Sequence, residues 1–143
     1  MFKTILVALD DSDQAKAAVE LACELAQVYN AKLLLVNAVD VSKMVVVAGY
    51  ETPYPVDAIQ LMRDAGRELL DSVQASCHDR GFTVETVACE GDACDEILRV
   101  AAEDHADLIV LGTHGRKGLS HLLVGSVAEG VVRRSPVPVL VAK

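Results

Sequence analysis

Two rhythms of apolar residues alternate along this chain. The first is the unbroken apolar run: KTILVAL over 3–9, KLLLVNAV over 32–39 and DLIVLG over 107–112. Runs of this length, rich in Val, Ile and Leu, predict strands buried on both faces. FTVETVAC over 82–89 alternates apolar with polar positions and predicts a strand nearer an edge. VPVLVAK over 137–143 predicts a last strand, and its Pro138 suits an edge position. The second rhythm is helical. Between 10 and 30, Ala15, Val19, Ala22, Leu25, Ala26 and Tyr29 recur every three or four residues behind a cluster of capping residues. The same spacing predicts helices over 56–80, stopped by Gly81, over 91–106 with Asp92 as N-cap, and over 126–135. Residues 40–55, with two prolines, predict a long irregular connection.

The order is βαβαβαβαβ. Right-handed crossovers turn that order into an open five-stranded parallel sheet with helices on both faces, an α/β fold. A chain of 143 residues is one domain at roughly 100–200 residues per domain. Aromatics make up 3% and Trp is absent, so the core is aliphatic. Ligands of such sheets bind at the carboxyl ends of the strands, where strand order reverses. The loops at that end are 10–13, 39–55, 89–92 and 112–126.

Charge narrows the partners. Thirteen basic residues face 21 acidic ones, a formal net charge of −8. A sequence-independent grip on DNA or RNA needs a basic face, so nucleic acid is not expected. No apolar run reaches the ~18 residues of a membrane span, so no membrane insertion is expected. The apolar start runs straight into Asp10, Asp11 and Asp13, unlike an export signal. A cytoplasmic protein with reduced cysteines is the expectation.

The loop GTHGRKGLSHLLVGS, Gly112 to Ser126, puts glycines and cations together in an acidic chain. Its spacing is Gly112, two residues, Gly115, nine residues, then Gly125-Ser126. Glycines let backbone N–H groups approach an anion closely, and successive N–H groups form an anion-binding nest. Ser126 falls where the last helix starts, which brings free N–H groups and the positive end of the helix dipole to the same place. Arg116 and Lys117 add local positive charge. The stretch SVAE from Ser126 to Glu129 is also a capping box, and that role competes with ligand binding for Ser126. Neither G-x-x-x-x-G-K-[ST] nor G-x-G-x-x-G is present, so a Walker loop and a dinucleotide fold are disfavoured.

The G-x2-G-x9-G-[ST] pattern, followed by a helix and PVPVLV, resembles the nucleotide-binding class of universal stress proteins. The resemblance spans the chain: KTILVALDDSDQAKAAVELACELA is similar to the family's first strand and helix, and 106–141 to its C-terminal third. It implies one universal stress domain over 1–143, a Rossmann-like sheet of the adenine nucleotide alpha hydrolase type in order 3-2-1-4-5, and ATP, AMP or ADP as ligand with Mg²⁺. It implies that Gly112 lies against the ribose beside Leu111, and that Gly115 begins the phosphate turn flanked by Arg116. Gly125, Ser126 and Val127 would hold the phosphates. Asp10 matches an aspartate near ribose and adenine that could also hold Mg²⁺. Ala8 would pack on the nucleoside, and Ala38 would read adenine through its backbone, with Asn37 beside it. The family also implies a homodimer through strand 137–142, with assembly to tetramers open. It implies a regulatory role in stress response toward a partner protein, with membrane transporters among the candidates.

Other readings compete with this one. The acidic cluster at 10–13 evokes a phosphoacceptor receiver, but the strand ending VACEG has no aspartate to phosphorylate. Cys89 and Cys94 lack the companions of a zinc site, and Cys23 and Cys77 read as helix packing residues. His114 and His121 read as solvated loop histidines, because no base–orienter pair accompanies them. Arg133 and Arg134 suit the C-terminal end of the last helix. Two functional alternatives remain. One is a weak ATPase or autophosphorylating phosphotransferase, for which no dedicated base or arginine finger is visible. The other is a nucleotide-independent dimeric interaction module.

Overall fold

A computed structural model describes residues 1–42, 56–113 and 124–143. The elements follow in the order β1 Thr4–Ala8, α1 Asp13–Tyr29, β2 Lys32–Val39, α2 Val56–Asp79, β3 Val84–Glu90, α3 Ala93–Glu103, β4 Leu108–Gly112, α4 Ser126–Arg134 and β5 Val139–Ala142. All five strands are parallel in one sheet, β3-β2-β1-β4-β5. The expected fold and strand order are therefore both present. Strand 32–39 matches its prediction at both ends. The edge strands shift instead: 82–89 becomes 84–90, and 137–143 shrinks to 139–142. Edge strands carry weaker apolar signals at their ends, because only one side is paired.

Strand alternation sorts the core into two layers. Ile5, Val7, Leu33, Leu35, Leu108 and Val110 pack beneath α1 and α2. Leu6, Leu34, Val36, Ile109 and Leu111 pack beneath α3 and α4. Residues one apart in a strand face opposite sides, so the central strands β1, β2 and β4 are apolar on both. The edge strand β3 alternates between half-buried and exposed residues, as its sequence pattern requires.

Local signals set the helix ends. Ser12 caps α1 and accepts from Ala15 N, while Asn30 closes it in the left-handed region at φ 54°. Asp92 caps α3 by accepting from Asp95 N. Gly81 follows α2 at φ +91°, where an L side chain would be strained. Glycine also sits inside α2, at Gly66. A Cβ there would run into Asn37 Oδ1 on β2, so the helix approaches the sheet by omitting a side chain.

Candidate functional site

The strand order reverses between β1 and β4. The chain leaving β1 passes to α1 on one face, and the chain leaving β4 passes to α4 on the other. A crevice at the carboxyl ends of these two strands follows from that topology. Ala8, Leu9 and Asp10 end one wall, and Leu111, Gly112 and Thr113 end the other.

The β1 wall is held by an interlocking set of hydrogen bonds. Leu9 N donates to Val36 O at 2.8 Å, and Asn37 Nδ2 donates to Leu9 O at 2.9 Å. Leu9 is thus clamped from both sides immediately before Asp10. Asp10 Oδ1 accepts from Ser12 N at 2.9 Å and from the Ser12 hydroxyl. The Ser12 oxygen accepts in turn from Ala15 N at 3.1 Å. Asp10 therefore fixes the turn that starts α1, and Ser12, rather than Asp11, is the cap. The carboxylate is half-buried at the mouth of the crevice.

The β4 wall explains one glycine and redefines a helix start. A Cβ on Gly112 would lie 2.7 Å from Gln14 Cβ and 2.9 Å from the Gln14 carbonyl carbon. Gly112 is therefore required by the close passage of α1, whatever its backbone contacts. Next, Thr113 N donates to Ala142 O at 2.8 Å, and Gly125 N donates back to Thr113 O. Those bonds bring the two ends of the glycine loop side by side at the edge of the crevice.

The capping-box reading of SVAE does not hold. The N-cap of α4 is Gly125, at φ −60° and ψ 158°, and Ser126 is the first helical residue. Glu129 does not reach back to the helix start; it accepts from Arg133 at 2.6 Å, one turn on. Among the described residues no side chain caps α4. Its first-turn N–H groups and the positive end of its dipole face the loop base, with no side-chain cap among the described residues. Ser126 is exposed, and Val127 turns its side chain into the core under α3 and α4, leaving its backbone for any ligand. Arg134 pairs with Asp95 at 2.7 Å, tying α4 to α3.

The remaining candidates fall into place around this frame. Ala8 and Leu111 pack into the α3/α4 side of the sheet, and Ala38 shares that side by strand alternation. Together they give the crevice a small, apolar floor. Gly115 and Arg116, with Lys117, His114 and His121, lie outside the described residues, as does most of the 40–55 connection. Sequence reasoning underrated Asn37, buried in an otherwise apolar strand, and missed Thr113. Asn37 also accepts through its backbone oxygen from the Cys89 thiol at 3.5 Å. A lone amide inside KLLLVNAV was the signal. The receiver alternative loses its position too, because β3 ends at Glu90, whose carboxylate is bound by Arg63 and held below its ordinary range by that contact.

The whole chain, residues 1–143, matches the model of the universal stress protein family. This chain belongs to the universal stress protein family. Universal stress protein MJ0531 of Methanocaldococcus jannaschii is 35% identical over 144 residues, spanning 100% of this chain and 83% of that protein. The solved structure of MJ0577 superimposes with a TM-score of 0.84 at 28% identity, covering 100% of this chain and 96% of that one. A universal stress protein solved in complex with cAMP superimposes with a TM-score of 0.73 at 28% identity, covering 99% of this chain and 97% of that one. The family thus accounts for the parallel sheet and its strand order. No helix among the described residues of this family member is long and apolar enough to cross a membrane.

Proposed function

We propose that this universal stress protein binds ATP in the crevice between β1 and β4 and acts as a nucleotide-dependent regulator in the cytoplasm. One observation carries the reading: the uncapped N-terminus of α4 is hydrogen-bonded to the end of β4 at the point where strand order reverses. A phosphate would satisfy the first-turn N–H groups that no side chain among the described residues satisfies. The glycine spacing on either side of that bond, and the cAMP-bound relative, support an adenine nucleotide.

In this reading Gly125, Ser126 and Val127 present backbone N–H groups to the phosphates, and Gly115 and Arg116 complete the turn. Gly112 and Leu111 line the ribose side. Ala8 packs on the nucleoside, and the backbone at Ala38 reads adenine. Mg²⁺ commonly binds through one or two carboxylates, phosphate oxygens and water, so a single carboxylate at Asp10 fits it without an all-protein cage. ATP holds the loop in one arrangement, and a partner that prefers that arrangement reads occupancy. Two copies pair through the open edge of β5.

Purified protein never exposed to added nucleotide is denatured, and the released material is chromatographed. ATP is then titrated with and without Mg²⁺. Bound adenine nucleotide, or saturable binding lost in Gly115→Val, supports the reading. A ligand at 100 times its Kd adds about 2.7 kcal/mol, a rise in Tm of roughly 10 °C. No release, no binding and no shift would leave the loop a purely structural connection.

A further inference from the structure

The thiols of Cys23 and Cys77 face each other in the core, Sγ to Sγ 3.8 Å apart. The nucleotide reading uses neither. Cys23 comes from α1 and Cys77 from α2, and their exposures are 0% and 1%. Both are free thiols. Each stands one turn from a charged residue: Glu20 before Cys23 on α1, and Arg80 after Cys77, just beyond the end of α2. Arg80 donates to Glu20 at 3.0 Å and lies 5.5 Å from the centre of the Phe82 ring. The two charged side chains reach water, 41% and 61% exposed. Both charges act on both thiols, Arg80 favouring the thiolate and Glu20 opposing it. The dithiol therefore lies beneath an ion pair at the surface.

We propose that Cys23 and Cys77 are a redox modification site, closed by hydrogen peroxide into an intramolecular disulfide that staples α1 to α2 and reopened by thiol reductant. A disulfide needs sulfurs about 2.04 Å apart, so closure brings the pair together by roughly 1.8 Å. The hydrogen bond between the thiols prepares the chemistry. Either sulfur can donate in that bond, and it favours the thiolate on the one that accepts; with Cys77 as acceptor Cys23 keeps its proton, and the two roles are interchangeable. The Cys77 thiolate attacks one peroxide oxygen, breaking the O–O bond, to give the sulfenic acid and hydroxide. The Cys23 sulfur then displaces the sulfenic oxygen, which leaves with the Cys23 proton as water. Hydroxide takes the proton that Cys77 had released. Two thiols lose two electrons, and one peroxide becomes two waters. Cytosolic disulfides of this kind are transient and regulatory rather than structural.

Trypsin places the two residues in different peptides, 17–32 and 68–80, while Cys89 and Cys94 share 81–99. The native protein is treated with hydrogen peroxide, alkylated, digested without reductant and analysed by mass spectrometry. The expected product is a cross-link between 17–32 and 68–80 in a chain of monomer mass, lost on adding dithiothreitol. Closing a long loop raises Tm by more than about 5 °C in the oxidised form. Glu20→Gln removes the charge that opposes ionisation while keeping a side chain of the same size, so closure runs at least about twofold faster. Both cysteines alkylated or over-oxidised without a cross-link, or a cross-link that forms only in urea, would overturn the proposal. A closure rate unchanged in Glu20→Gln would overturn the role of the ion pair. Neither result bears on nucleotide binding.

Discussion

Gly112→Ala separates packing from ligand contact at the centre of the site. The added Cβ lies 2.7 Å from Gln14 Cβ, 2.9 Å from the Gln14 carbonyl carbon and 3.1 Å from Ala15 N. Two of those atoms are backbone, so no rotamer change relieves the clash. Helix α1 must move, and it carries Ala15, Ala18, Val19 and Ala22 in the core. Overpacking of this kind costs about 1–3 kcal/mol. At the middle of that range Tm falls by roughly 8 °C for a chain of this size. The shift also drags Ser12 and the Asp10 turn with it, so ATP affinity falls together with stability. Urea unfolding without nucleotide gives the first quantity and ATP titration the second. The reasoning requires the stability loss to appear in nucleotide-free protein. An apo Tm within 1 °C of the parent, with affinity alone reduced, would refute the packing account and assign Gly112 to the ligand.

Gly125→Asp should act with opposite signs on the two quantities: an N-cap carboxylate at φ −60° and ψ 158° stabilises α4 by up to about 1 kcal/mol, while it occupies the N–H groups and repels phosphate, so apo Tm rises and ATP binding is lost. Gly66→Ala drives its Cβ into Asn37 Oδ1 and breaks the bond to Leu9 O; chemical denaturation should show a net loss of about 1–2 kcal/mol, and Asn37→Ala in the same chain should recover part of it. Asp107 accepts from Thr4 N and Lys3 N, which holds its carboxyl below the usual range. The stability it contributes is present above the unfolded aspartate value near ~3.9 and is lost as pH falls through the lower folded value, so the Tm gap between the parent and Asp107→Asn should be widest at neutral pH and close in acid.

The central strands were legible because burial on both faces forces long aliphatic runs, and β1, β2 and β4 have no polar face to confuse the period; the strand order came from the family resemblance. Helix starts were legible where a side chain makes the cap, as at Ser12 and Asp92. The start of α4 was not, because SVAE satisfies the local rule for a capping box while the chain uses Gly125 instead. Its Glu129 has a better partner in Arg133, one turn on, and sequence spacing alone does not rank the two. The bond from Gly125 to Thr113 and the clamp of Asn37 on Leu9 join residues far apart in the chain, and no short-range pattern encodes them. Cys23 and Cys77 were legible as buried residues and illegible as a pair, since 54 positions separate them.

The misread cap bears directly on function. A serine that capped α4 would consume an N–H group that a phosphate needs, and a helix so capped has little left to offer an anion. Gly125 leaves those donors without a side-chain acceptor among the described residues, in a helix that has every local means of being capped: the adjacent Ser126 would need only a shift of one position. An exposed helix end can rely on water, which makes an uncapped terminus alone weak evidence. Here the same terminus is tied to the end of β4 at the reversal of strand order, and Gly112, the first residue of the loop, holds β4 close against the start of α1. The donors, the Asp10 turn and the loop base are thereby fixed to one another through backbone contacts. In the proposed reading, an anion bound at α4 would reach α1 through the close contact of Gly112 with Gln14, and the first turn of α1 is the place to look for a change on nucleotide binding.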